Sequence, residues 1–159
     1  MFTKGCALDK IGSRFGVVFP LINTHSLRML VMWRAAFDGD LEKLMIVAAV
    51  VDQGMKASGF SEQTYDSYIG AFMFENVAPP TNVQSVADFT GIPRETVRRK
   101  VNDLCAKGWL ERDKDGAVRL TIQGALDLSP QLREFSRQLE KLVASISEIM
   151  RAQDLRQAV

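Results

Sequence analysis

The sequence of 159 residues has little of several things that would point directly to a class of protein. Its two cysteines, Cys6 and Cys105, do not have the spacing of a metal or redox motif, so a reducing cytoplasmic compartment is the simplest interpretation. Its longest uninterrupted apolar run, Leu44 to Val51, has eight residues, whereas a membrane-spanning helix needs ~20. No export signal is evident near the N-terminus. We therefore expect a cytoplasmic protein with no membrane contact.

An excess of charge of one sign is also lacking. The 20 basic and 19 acidic residues leave a net charge of +1, so any anionic partner must be recognised by a local cluster of charges. The single histidine, His25, has no cysteine or paired carboxylate at ligand spacing, and we expect it to have a capping or surface role. Because no phosphate-cradling glycine loop or serine elbow is present either, we expect no enzyme, no metal and no cofactor.

The composition is that of an ordinary soluble globular protein, with 47% hydrophobic and 25% charged residues. Glycines and a proline within residues 1–24 predict an irregular arm. Ser26, Asp40 and Ser61 are placed to begin three helices within residues 25–78. The predicted segments are an N-terminal arm over 1–24, a helical bundle or dimerisation region over 25–78 that includes the first helix of the next domain, a winged helix-turn-helix over 79–122, and a C-terminal dimerisation helix over 123–159.

Two helices joined by a glycine turn are predicted in the third segment. Asn82 is a favourable N-cap for a short helix that ends near Phe89. Gly91 supplies the positive φ that a tight turn between helices tends to need. The next helix is predicted from Pro93 or Arg94 to Lys107, with Gly108 at its C-terminal end.

Two short strands follow this helix pair. Residues 109–112 and 117–120 alternate in the manner of strands, and Asp115 and Gly116 lie in the turn between them. Helix, turn, helix and hairpin in this order predict a mainly α fold: a winged helix-turn-helix with a two-stranded wing, flanked by N-terminal helices and a long C-terminal helix.

The second helix of the pair has one apolar and one charged face. At 100° per residue, Val97, Val101 and Leu104 share the buried face. The opposite face is basic, and from 94 to 101 four basic residues accompany one acidic residue. A recognition helix in the major groove contacts base edges with such a face, while basic groups of a wing contact the DNA backbone. The candidate DNA-binding residues are Arg94, Glu95, Arg98, Arg99 and Asn102 on the helix, and Arg112, Lys114 and Arg119 on the wing.

The segment from Gln84 to Arg99, and above all its Arg-Glu-Thr-Val-x-Arg string, resembles the helix-turn-helix of the cyclic-nucleotide receptor and fumarate-nitrate regulator superfamily of bacterial transcription factors. The resemblance implies base contacts for Arg94, Glu95 and Arg99, and a phosphate contact for Thr96. No cyclic-nucleotide barrel precedes the motif, so effector binding is not implied. The terminal helix after the wing is more similar to the multiple-antibiotic-resistance regulator family, in which terminal helices form a dimer.

The last helix, predicted to begin at Ser129 and Pro130, has an apolar seam with heptad spacing. The seam can pack against the N-terminal helices of the same chain or against a second subunit, and we favour the second subunit or a bundle that contains both. The seam residues are Leu132, Phe135, Leu139, Leu142, Ile146 and Ile149.

Methionines and aromatic residues are frequent in the N-terminal half. They can form ordinary core, a dimer interface, or the lining of a pocket for a small-molecule effector, and the first two interpretations are favoured. The set comprises Met29, Met32, Trp33, Phe37, Met45, Met55, Phe72, Met73 and Phe74.

These patterns together predict a transcriptional regulator that binds double-stranded DNA as a homodimer. The alternative is a winged helix that serves as a protein-interaction or assembly module without specific DNA binding. The near-neutral total charge, the acidic residues Asp113 and Asp115 in the wing and the long apolar seam favour the alternative.

Overall fold

The computed structural model describes residues 11–58 and 80–157, with side chains for 11–53 and 80–152. The chain forms two compact units, one over Trp33–Gln131 and the other combining Met1–Met32 with Leu132–Val159. The helices described are α1 (Phe15–Ala36), α2 (Leu41–Ser58), α3 (Val83–Thr90), α4 (Arg94–Ala106) and α5 (Ile122–Gln157), and the strands are β1 (Thr81–Asn82), β2 (Leu110–Arg112) and β3 (Ala117–Leu120). The predicted third helix after Ser61 lies outside the described residues.

Helix α1 occupies residues 15–24 of the predicted irregular arm over 1–24. The prediction was wrong for the described residues, because 11–13 are helical and α1 passes through Pro20 without ending. A proline inside a helix removes one N–H···O bond, but apolar residues on both sides of Pro20 continue the helix. The prediction gave too much weight to Gly12, Gly16 and Pro20 as helix breakers, and so it began the helix near Ser26.

The unit over Trp33–Gln131 has one hydrophobic core, to which α2, α3, α4 and the sheet contribute. Ile46 of α2, Leu104 of α4 and Leu110 of β2 are among its fully buried side chains. Each such side chain stabilises the fold by roughly 1.5–3 kcal/mol relative to an exposed one. Val97 and Val101 are 0% exposed, so the predicted buried face of α4 is confirmed.

The helix-turn-helix is formed by α3 and α4. The side chain of Asn82 accepts a hydrogen bond from Ser85 N at 2.9 Å, as expected for the N-cap. Gly91 has a φ of 72° and Gly108 a φ of 78°, so the glycines predicted to end α3 and α4 have left-handed conformations. Both helices have the predicted positions to within a residue or two.

A three-stranded antiparallel sheet completes the winged helix, in the order β1-β3-β2. The predicted two-stranded wing is present as β2 and β3, in which Leu110 lies opposite Leu120. The third strand, β1, pairs Thr81 with Val118 and was not predicted. Two residues are too few to show an alternating pattern, and their pairing partner lies far along the chain. The fold is therefore a mainly α winged helix-turn-helix, as predicted, with one additional strand.

Helix α5 starts directly after the wing, where the side chain of Thr121 accepts a hydrogen bond from Gly124 N at 2.9 Å. The predicted start at Ser129 and Pro130 was wrong, since both residues lie inside the helix. Proline has no N–H for the carbonyl four residues earlier, but the hydroxyl of Ser129 donates to that carbonyl, Leu126 O, at 2.9 Å. This bond accounts for a proline in a continuous helix.

Candidate nucleic-acid interface

The outer face of α4 is exposed along its length. Arg94, Glu95, Arg98, Arg99 and Asn102 are exposed, and Thr96 is half-buried beside Val97. Helix α4 begins at Arg94, the first residue of the Arg-Glu-Thr-Val-x-Arg string. The face predicted to contact DNA is the face that does not pack against the core. The base and phosphate contacts assigned to these residues stay predictions.

Glu95 is engaged by a neighbour on the same helix. Its two carboxylate oxygens accept hydrogen bonds from Arg98 Nη2 at 2.6 Å and from Arg98 Nε at 2.9 Å. The hydrogen bond from Arg98 lowers the pKa of Glu95, and the charges of Arg98, Arg99 and Arg94 lower it further. The carboxylate predicted to contact a base therefore already has a bidentate partner.

Arg94 and Arg99 differ from Arg98 in this respect. Neither has an ion-pair or hydrogen-bond partner among the residues described. Their guanidinium groups are exposed and carry their full charge toward solvent. Of the three arginines on the helix, these two are therefore the ones whose positive charge is not neutralised by a carboxylate of the protein.

Lys100 does not contribute to the outward charge. Its side chain is only 12% exposed, and its ammonium group forms ion pairs with Asp40 at 2.5 Å and with Glu42 at 3.2 Å. Lys100 was counted in the predicted basic cluster, because the charge of a lysine is visible in a sequence and its partner Asp40, 60 residues away, is not. The free basic charge of α4 is smaller than that count suggested.

Two further ion pairs connect α4 with the start of α2 and the loop before it. Lys43 Nζ lies 3.2 Å from Asp103, and Lys107 Nζ lies 3.7 Å from Asp38. These pairs are more exposed than the Lys100 pair and contribute less, roughly 0–1 kcal/mol each. Together with the Lys100 pairs they connect the C-terminal half of α4, and the residue that follows it, with the start of α2 and the loop before it.

Asp113 organises the tip of the wing. Its carboxylate oxygen Oδ1 accepts hydrogen bonds from Asp115 N at 2.9 Å and from Ala117 N at 2.8 Å. From the sequence, Asp113 was placed in a favourable hairpin turn and weighed as a negative charge opposed to DNA binding, but these two hydrogen bonds were not predicted. An aspartate that begins a four-residue loop ending in glycine is the signal that could have indicated them.

The three basic residues of the wing are not equivalent. Arg112 and Lys114 are exposed, whereas Arg119 is half-buried and its Nε lies 2.8 Å from Glu111 on the opposite strand. Arg112 and Lys114 have no carboxylate within ion-pair distance among the described residues. The predicted positive charge of the wing is therefore concentrated on Arg112 and Lys114.

A shallow cleft lies between the first turn of α4 and the end of β2. It is lined by Val83, Arg94, Glu95, Arg98 and Arg112. In the sequence, its charged members belong to two separate elements, the helix and the wing. The structure brings them together, because Arg112 is the last residue of β2 and the strand ends beside the helix start.

Other predicted features have different outcomes. His25 lies inside α1 and not at a helix start, so a capping role is wrong. Its Nδ1 is 3.2 Å from Gln138 Oε1 on α5.

Phe37 is 2% exposed and packs edge-on against Trp109 with 5.2 Å between ring centroids, so it belongs to the core. Phe72, Met73 and Phe74, which were considered for core, dimer interface or an effector pocket, lie outside the described residues. Among the residues described, no group of three or more histidine, cysteine or acidic side chains could hold a metal ion.

Helix α1 is long and apolar enough, by length and composition, to cross a membrane. A search for uninterrupted apolar runs does not find it, because Asn23 to Ser26, Arg28 and Arg34 interrupt the apolar residues. The last turn of α1 packs against the core through Trp33 and Ala36, which is the behaviour of a helix in a globular unit. Length and composition alone are weak evidence for a membrane span.

No protein-family model matches the sequence, and no curated protein is significantly similar to it. Among solved structures, the chain is similar to BpsR of Bordetella bronchiseptica, studied for the regulation of its DNA binding by 6-hydroxynicotinic acid, with 16% identity over 84% of this chain and 90% of that chain and a TM-score of 0.40. It is also similar to a MarR family protein from Bacillus stearothermophilus, with 15% identity over 75% of this chain and 94% of that chain and a TM-score of 0.38. At such TM-scores neither likeness decides the family or the function of this chain.

Proposed function

We propose that the protein is a sequence-specific DNA-binding transcriptional regulator of the bacterial cytoplasm, which acts as a homodimer with α4 of each subunit in a major groove. The observation that carries the proposal is the outer face of α4, where Arg94 and Arg99 are exposed and unpaired within a helix-turn-helix. The wing adds Arg112 and Lys114. A two-fold dimer would place its half-sites about one helical turn apart, ~34 Å.

Binding to DNA is tested first by a salt titration with a random duplex and by selection of bound duplexes from a random pool. A steep loss of affinity with salt and an enriched two-fold symmetric site would support the proposal. Absence of binding even at low salt would reject it and favour the protein-interaction module. A selected site without two-fold symmetry would contradict the homodimer and leave DNA binding intact.

The recognition helix is tested by Arg99→Ala, with Lys114→Ala as the matched control on the wing. Because arginine binds guanine with two hydrogen bonds, Arg99→Ala should cost about 1–3 kcal/mol on the selected site and relax specificity at one base pair. Lys114→Ala should weaken all duplexes alike and reduce the salt slope by roughly 0.9. If Arg99→Ala kept the wild-type ratio of specific to random binding, the assignment of α4 to the bases would be wrong.

The homodimer is supported by the apolar surface that α1 leaves exposed. Phe15 and Leu27 are 56% and 57% exposed, and Leu30 and Val31 are exposed to a similar degree. On α5 the predicted seam is half-buried at most positions and Leu139 is exposed. Apolar side chains left exposed on a soluble protein often mark an interaction surface, so a second copy of the chain is the proposed partner for both helices.

Sedimentation of the wild type and of two matched variants tests the dimer. Leu30→Glu puts a charge on the exposed face of α1, and Ala48→Glu puts the same charge on an exposed position of α2. The wild type and Ala48→Glu should sediment as dimers and Leu30→Glu as a monomer. A monomeric wild type would reject the dimer, and flotation of the wild type with lipid vesicles would instead indicate that α1 binds a membrane.

A further inference from the structure

The cleft beside the start of α4 combines charges from two separate elements. Arg94 and Arg98 come from the helix, and Arg112 comes from the wing. Glu95 is the only carboxylate in the lining, so the cleft has three positive charges and one negative charge. All four charged residues are exposed, so a ligand can reach them without a conformational change.

The pairing within the cleft leaves most of its donors free. A guanidinium has five N–H donors, and Glu95 occupies Nε–H and one N–H of Nη2 of Arg98. Three donors of Arg98 are therefore available, and Arg94 and Arg112 have no carboxylate partner among the described residues. Glu95 also holds the guanidinium plane of Arg98 in one orientation, since two parallel hydrogen bonds fix a planar group more tightly than one.

We infer that this cleft is a phosphate-binding subsite, which holds one phosphodiester of the DNA backbone between the recognition helix and the wing. The inference rests on the proposed function and changes the roles within it. Arg94 and Arg98 contact the phosphate, Glu95 positions Arg98, and base reading falls to Arg99 and Asn102.

The chemistry of the lining favours phosphate over other anions. Arginine forks match the paired oxygens of a phosphate, and three guanidinium groups around one cleft can surround a tetrahedral anion from different sides. Exposed, unpaired Arg99 and Lys114 extend the positive surface beyond the cleft along α4 and the wing. A long polyanion would use that continuous surface, whereas a free phosphate compound would use the cleft alone.

A scan of the selected duplex with single neutral methylphosphonates tests the subsite. For the wild type, one position per half-site should lower affinity by about tenfold or more, as expected for a charged hydrogen bond lost in an interface. Arg112→Gln should bind the unmodified duplex more weakly than the wild type does. For this variant, a methylphosphonate at the sensitive position should cause little further loss of affinity. Lys114→Gln, the matched control, should keep the effect. The same profile in Arg112→Gln as in the wild type would overturn the inference.

The role of Glu95 has its own measurement. Glu95→Gln keeps the side-chain shape and removes the charge that binds Arg98 twice. Selection from the random pool should return the wild-type base preference with Glu95→Gln, and Arg99→Ala should change it. Loss of a cytosine preference in Glu95→Gln would show that Glu95 reads a base, and the positioning role would be wrong.

A titration of the protein alone separates failure of the subsite from failure of the proposed function. Inorganic phosphate, at constant ionic strength set with chloride, should shift the Nε resonances of Arg98 and Arg112 in ¹⁵N spectra, and Arg119 is the paired control. Shifts without any duplex binding would support the anion site and reject DNA as its ligand. If the protein binds the duplex but phosphate shifts neither arginine resonance and no methylphosphonate position lowers affinity, the subsite is wrong and the proposed DNA binding stands.

Discussion

Lys100→Met tests whether the ion pairs of Lys100 hold the recognition helix on α2. Methionine keeps an apolar stem of similar length but removes the charge that binds Asp40 and Glu42. Lys100 is 12% and Asp40 28% exposed, so the site lies between a surface pair, worth about 0–1 kcal/mol, and a buried pair, whose breaking costs about 3–5 kcal/mol. We expect a loss of about 1–2 kcal/mol in the free energy of unfolding.

Urea denaturation, followed by circular dichroism at one fixed protein concentration, measures this loss. Taking a slope of about 1–3 kcal/mol per molar, the midpoint should fall by roughly 0.3–2 M. Lys114→Met changes an exposed lysine without a carboxylate partner in the described part, and it should stay within about 0.5 kcal/mol of the wild type. Asp40→Asn keeps the oxygen that caps Lys43 N but replaces the oxygen that accepts from Lys100 with an amide NH2, so its cost should be smaller in Lys100→Met than in the wild type. A Lys100→Met loss no larger than that of the control, or full additivity, would refute the reasoning.

The same variant predicts a dependence on pH. Burial raises the pKa of Asp40, but hydrogen bonds from Lys100 and Lys43 and the two lysine charges outweigh it, so the pKa lies below 3.8. The hydrogen bond that Lys100 donates to Asp40 raises the pKa of Lys100 above 10.5. A carboxyl group whose pKa is lower in the folded state stabilises the fold at pH values above its unfolded pKa, and this stabilisation is lost as the pH falls through its folded pKa. A lysine whose pKa is higher in the folded state stabilises the fold below pH 10.5, and this stabilisation is lost as the pH rises through its folded pKa. The difference between wild type and Lys100→Met should therefore be largest between about pH 5 and 9 and shrink toward both extremes.

Three further variants probe local structure. Gly124→Ala would place its Cβ 2.5 Å from the backbone oxygen of Trp109, so we expect a loss of at least 1–3 kcal/mol, read as a lower urea midpoint; an unchanged midpoint would contradict this close packing. Asn82→Ala removes the acceptor for Ser85 N and should cost about 1 kcal/mol in the same assay, whereas Asn82→Ser should restore most of it. Asp113→Ala should increase amide hydrogen exchange in the wing and leave α3 and α4 unchanged, and equal protection in both proteins would show that its two hydrogen bonds do not order the loop.

The fold was largely predictable because its signals are local. Asn82, Gly91 and Gly108 indicate helix ends through preferences of single residues, and the apolar spacing on α4 identifies its buried face. The errors came where a local signal was overridden. Pro20 and Pro130 lie inside helices, one continued by apolar residues on both sides and the other compensated by the hydroxyl of Ser129.

The sequence was sufficient to predict which residues belong to the candidate site, but not which ion pairs and spatial neighbours they have. The exposed positions on α4 follow from helix geometry, and the wing charges follow from the hairpin. The partners of Lys100 and Arg119 depend on which segments meet in space, as does the approach of Arg112 to the start of α4. Strand β1 was missed for the same reason, since its partner is 37 residues away in the case of Thr81 and Val118.

The pairing of Glu95 with Arg98 has a consequence for how the protein would search a genome. A regulator competes for its operator against a vast excess of other sequences, and unspecific attraction to phosphates holds it on all of them. A carboxylate carried on the recognition helix itself, in a chain of net charge +1, weakens that general attraction. Such a protein would leave wrong sites quickly, and its occupancy of the right one would depend on fit more than on charge.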